Sequence, residues 1–122
     1  MADANIDIVW LLALFCFSLA VGITEEATFR LFGISTLTRL LRKGLNEKDA
    51  WRGGIVVLSA VFAVNHLLLT NLWSQQPIST LVRTFLTGLA LGYLFKNVGY
   101  EACVLAHGSL NFLAFIALAI MT

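Results

Sequence analysis

The sequence predicts an all-α integral membrane bundle of about four transmembrane helices, and three observations carry that prediction. Of its 122 residues, 59% are hydrophobic and 12% are charged, against roughly 45–50% and about 25% in soluble domains. Mean hydropathy is +0.87. Four apolar runs are long enough, or nearly so, to cross a hydrocarbon core of about 30 Å, which takes about 20 helical residues, and no strand-like alternation separates them. The length allows one domain, 1–122. A net charge of +1 does not describe a nucleic-acid surface, which needs clustered Lys and Arg and a strongly basic pI.

The first run covers about Ile8 to Phe32, and its helix is free to continue to Leu41. Ser18-Leu19-Ala20 has small residues in cleavage-like positions. The stretch before it, however, carries Asp3 and Asp7 and no basic residue, so the segment reads as a retained span rather than a signal peptide. Arg39 to Arg52 is the one polar loop. The second run covers about Gly54 to Trp73, the third about Ile78 to Phe95, and the fourth about Ala102 to Met121. Ser74-Gln75-Gln76-Pro77 predicts a tight turn in which the only proline starts a helix, and Gly99 predicts a helix terminator. Positive-inside counting places the basic 39–52 loop, and Lys96 with it, in the cytoplasm. Arg83, inside the third run, either snorkels outward or partners a carboxylate in the bundle. Gly88-Leu89-Ala90-Leu91-Gly92 is a small-xxx-small pattern and predicts close helix packing within the bundle. Cys16 and Cys103 lie far apart in apolar runs, lack any CxxC or Cys/His metal spacing, and read as small buried hydrophobes.

The polar residues inside these runs need a reason to be there, because a carboxylate near mid-bilayer costs roughly 2.5–3.5 kcal/mol on the insertion scale. Glu25 and Glu26 are adjacent, and Arg30 follows Glu26 at i+4 with the acid on the N-terminal side, the favourable order for an ion pair. Glu25 points about 100° away around the helix. The spacing therefore divides the labour: Arg30 holds Glu26 ionised, and Glu25 is left to move protons. The bland alternative puts both acids at a helix end among the headgroups. Phe62 and His66 share one helix face at i, i+4, as do His107 and Asn111. An imidazole and an amide one turn apart can aim two donors at one point, as an oxyanion hole requires; helix–helix glue is the alternative. No HExxH is present, so a zinc peptidase of that kind is not indicated.

Glu25-Glu26-x-x-x-Arg30, Phe62-x-x-x-His66 and His107-x-x-x-Asn111 together resemble the three motifs of the CPBP intramembrane proteases. These are the CAAX-processing and bacteriocin-processing family, also called Abi or type II CAAX prenyl endopeptidases. The resemblance implies a glutamate-dependent, metal-independent endopeptidase that needs no cofactor. By matched position, Glu25 would activate water with the help of His66, and His107 and Asn111 would stabilise the oxyanion. Glu26, Arg30 and Phe62 would hold the site's geometry. The implied partners are the lipid bilayer and a membrane-anchored protein or peptide substrate, in a bacterial inner membrane. Family members typically carry further spans, which leaves a second copy or a partner subunit as a way to complete the bundle. Two other functions use the same residues: a non-catalytic self-immunity or scaffold protein of the family, and a metal- or proton-handling membrane protein.

Overall fold

In the computed structural model the described residues are 7–69 and 76–121, and among them every regular element is helical. Helix α1 (Ile8–Glu26) continues through a π-helical segment (Ala27–Ile34) into α2 (Ser35–Leu41), followed by α3 (Glu47–Leu69), α4 (Pro77–Asn97) and α5 (Tyr100–Met121). Four of these units are long and apolar enough to cross a membrane, with α1 to α2 counting as one unit of 34 residues. Large apolar side chains such as Leu12, Phe17, Phe32, Val57, Leu86 and Leu118 face outward, as expected for a surface solvated by lipid rather than water. This is an integral membrane protein.

The helix ends follow local chemistry. Asp7 caps α1, its carboxylate accepting from the Val9 amide at 3.2 Å. Asn46 opens α3: its side-chain oxygen accepts from the Asp49 amide at 2.9 Å and its amide nitrogen donates to the Asp49 carboxylate at 2.8 Å. The first bond is an N-cap, and the second clasps the two side chains together. Glu47 and Asp49 lie in the first turn of α3, where the helix dipole favours them. That chemistry corrects the polar loop expected over 39–52. Arg39 lies in the last turn of α2 and Glu47 to Arg52 in the start of α3, so the connection is only 42–46. Pro77 begins α4. The end of the second run, to Trp73, and Ser74 and Gln75 of the expected turn lie outside the described residues. Gly99, at φ +130°, ends α4 and lets α5 begin one residue later; a side chain there would cost about 1–3 kcal/mol of strain.

α1 runs along α5, and α3 along α4. Among the described residues no Cα of α1 comes within 8 Å of α3 or α4, and none of α5 comes that close to α3. The π segment touches α3, α4 and α5, and α4 also packs directly on α5, so the two pairs are joined by the π segment and by α4 against α5. The close approaches are made at small residues. A Cβ on Gly92 would lie 2.7 Å from Ile55 Cγ2, and one on Gly88 would lie 3.1 Å from the Ser59 Cα. The small-xxx-small pattern therefore serves α3–α4 packing. Gly92→Ala is expected to lower stability by about 1–3 kcal/mol through overpacking, measured as the unfolding midpoint in detergent; an unchanged midpoint would contradict the tight seam.

Cys103 is fully buried, its thiol 3.2 Å from the Leu91 carbonyl, whereas Cys16 is exposed on the lipid face and not buried as expected. Arg83 is exposed and makes no ion pair among the described residues, which leaves the snorkelling alternative.

Candidate active site

The unbroken first helix decides the environment of the acidic pair. Glu25 stands 17 residues after Ile8 and 16 before Leu41 on a helix of 34, near its middle and not at a headgroup-level end. The switch to π winding comes directly after Glu26. Short π segments are rare and often occur at functional sites.

Glu26 is fully buried and Arg30 nearly so. Arg30 Nη1 donates to Glu26 Oε1 at 3.1 Å, the i, i+4 pair the sequence spacing proposes. The guanidinium is then consumed from its other sides. Nη2 reaches the Gly88 carbonyl of α4 at 3.5 Å, and the carbon lies 4.5 Å from the centre of the Phe62 ring. A desolvated cation over an aromatic face is worth about 2 kcal/mol. Phe62, itself buried, also meets Phe29 edge-on at 5.2 Å, His66 at 4.7 Å and His107 at 5.9 Å between ring centres. It forms the apolar wall that keeps these polar groups out of lipid.

His107 lies between the two acids. Its Nδ1 is 2.7 Å from Glu26 Oε1 and its Nε2 is 3.2 Å from Glu25 Oε2. An ionised carboxylate only accepts, so with Glu26 held as the anion by Arg30, Nδ1 is the protonated nitrogen and donates. The contact at Nε2 has ion-pair distance without the alignment of a hydrogen bond, and Glu25 Oε2 is buried without such a bond among the described residues. Two facing lone pairs would repel, so one proton belongs to that contact, on the ring or on the acid. His66 sits in the electrostatic field of Glu25, His107 and Arg30. Asn111 is half-buried one turn beyond His107 on α5. Glu25 is the more accessible acid, its side chain 22% exposed against 0% for Glu26. It borders an open concavity of about 300 Å³ lined by Ala20, Val21 and Thr24.

The structure thus brings Glu25, Glu26, Arg30, Phe62, His66 and His107 into one cluster, with Asn111 at its edge. Sequence spacing alone did not find His107 between the acids, nor the contribution of Gly88, whose carbonyl meets Arg30 only because α4 packs so closely. Tyr100 was also missed: its hydroxyl donates to the Ile23 carbonyl at 3.0 Å, tying α5 to α1 just before the π segment. Its position at the start of an apolar run was the only available signal. Among the described residues no three His, Cys, Asp or Glu side chains are grouped to hold a metal ion.

A helical bundle with an acid–imidazole cluster walled by aromatic rings belongs to the integral membrane proteins that keep ionisable groups among their spans, groups that in such places serve chemistry or transport. The chain matches, over residues 7–113, the family model described as type II CAAX prenyl endopeptidase Rce1-like, and it belongs to that family. Membership implies CAAX-type intramembrane protease activity. No curated protein and no solved structure matches the chain.

Proposed function

We propose that the protein is an intramembrane endopeptidase that hydrolyses a peptide bond of a membrane-anchored protein or peptide, with Glu25 as the base. One observation carries the reading: of two adjacent acids, Glu26 is neutralised by Arg30 and by Nδ1 of His107, while Glu25 is left at the concavity, its Oε2 facing Nε2 of His107 with no hydrogen bond among the described residues. A water in that concavity gives a proton to Glu25 as its oxygen bonds to the scissile carbonyl carbon. With the proton of the Glu25–His107 contact on Nε2, so that His107 is the imidazolium and Glu25 the carboxylate, the carbonyl oxygen becomes an oxyanion that Nε2–H and the side-chain amide of Asn111 stabilise. The proton on Glu25 then passes to the leaving nitrogen as the C–N bond breaks. His66 assists Glu25, and Glu26, Arg30 and Phe62 fix the geometry. The single core over 1–122, the cytoplasmic side for the end carrying Arg39 to Arg52, and a bacterial inner membrane belong to the same proposal.

The test is cleavage of membrane-anchored precursors by the purified protein in nanodiscs, with and without chelator. Cleavage unchanged by chelator is the expected result; its loss on metal removal, restored by one added metal, would overturn this mechanism. Asn111→Ala is expected to lower kcat by about 10²–10³-fold, the usual cost of one oxyanion donor, with little change in KM. A KM effect alone would place Asn111 in substrate binding instead.

A further inference from the structure

Further along the first helix from the concavity, a pocket of about 190 Å³ lies between α2 and α3, lined by Ser35, Thr38, Arg39, Arg42 and Trp51. Its lining side chains are two guanidiniums, two hydroxyls and an indole, with no carboxylate among them. Lys96 of α4 stands with its ammonium 6.0 Å from the centre of the Trp51 ring.

We propose that this pocket binds the phosphate group of an anionic membrane lipid. Arg42 gives Nη2 to Glu47 at 2.6 Å, but a guanidinium carries five donors, so the contact leaves it able to hold a phosphate oxygen. Arg39 is exposed and makes no ion pair among the described residues. Thr38 is only 2% exposed, and its Oγ1, packed against Gly54, has no hydrogen-bond partner among the described residues. A buried hydroxyl in that state calls for an acceptor, and a phosphate oxygen at the pocket supplies one. Arginine forks suit phosphate oxygens in geometry as well as charge.

A soluble phosphate ester offers the same chemistry, and the location decides for the lipid. Trp51 packs on Phe95 at 6.3 Å between ring centres, at the level where the apolar helices give way to Arg39, Arg42, Lys43, Lys48 and Arg52. Tryptophan and basic residues collect at the headgroup level of a bilayer, and basic clusters beside spans attract anionic lipids. The proposal is independent of the roles assigned to Glu25 and His107.

The test is native mass spectrometry of the detergent-purified protein titrated with phosphatidylglycerol or phosphatidylcholine. The expected result is preferential retention of phosphatidylglycerol, lowered about tenfold or more by Arg39→Gln, the usual scale for a lost charge-assisted hydrogen bond. Arg52→Gln removes the same charge outside the pocket and is expected to cost at most about fivefold. Thr38→Val, which keeps the volume and removes the hydroxyl, is expected to lower retention severalfold with no loss of melting temperature, and so reports on the pocket without disturbing the fold. Equal effects of Arg39→Gln and Arg52→Gln, with none from Thr38→Val, would overturn the site. Displacement of phosphatidylglycerol by glycerol 1-phosphate at comparable concentration would overturn the lipid as the source and assign the pocket to a soluble ester.

Discussion

Glu25→Gln is expected to abolish measurable cleavage while leaving the protein folded and inserted. The substitution keeps the size of the side chain and removes the only acid in the cluster that is not already paired with Arg30. General-base catalysis contributes about 10²–10⁴-fold, so a loss in that range or beyond is the expected result. Stability should change little, because Glu25 is partly exposed and its contact to Nε2 of His107 is not aligned as a hydrogen bond. The measurement is cleavage of a co-expressed membrane-anchored precursor, with membrane insertion and melting followed on the same variant. Activity within tenfold of wild type would remove Glu25 from the mechanism. Cleavage by neither version of any precursor tried, together with intact biological protection in a bacteriocin challenge, would favour the non-catalytic immunity reading of the same family.

The parts of this site that lie within one helix were legible in the sequence, and the parts that lie between helices were not. Glu26–Arg30 and Phe62–His66 are i, i+4 pairs, and helix geometry alone brings them together. His107 also shares a face with Asn111, but spacing along α5 says nothing of what α1 presents to it. That register is set by contacts such as the close approach of Gly22 to Gly108, where a Cβ on Gly22 would lie 3.2 Å from the Gly108 nitrogen. The result is that His107 bridges Glu25 and Glu26, whereas the sequence offered a donor aimed at an oxyanion or, as the alternative, helix–helix glue. The four spans were equally legible because apolar length is a one-dimensional property. Their ends were not: the capping by Asn46 draws polar Glu47 to Arg52 into α3, and a hydropathy pattern cannot register that. Nor can it register the π winding from Ala27 to Ile34, whose residues are ordinary for a helix.

Arg30→Ala is expected to carry the largest stability cost of any single substitution in the cluster, about 3–5 kcal/mol, the usual penalty for leaving one partner of a buried ion pair uncompensated. Three interactions are lost together: the bond to Glu26, the reach to the Gly88 carbonyl and the stack on Phe62. Arg30→Lys should recover only part of this, since an ammonium cannot both face the Phe62 ring as a plane and fork between two acceptors. The double variant Glu26→Gln with Arg30→Met removes both charges and fills the volume, and it should recover much of the stability. It should not recover cleavage, because Nδ1 of His107 then loses the anion that orients the ring beside Glu25. Unfolding midpoints in detergent, measured alongside cleavage, separate the two effects. A cost below about 1 kcal/mol for Arg30→Ala, the range of solvated surface pairs, would mean that the pair is reached by water and that its burial between α1, α3 and α4 is not what holds the site together.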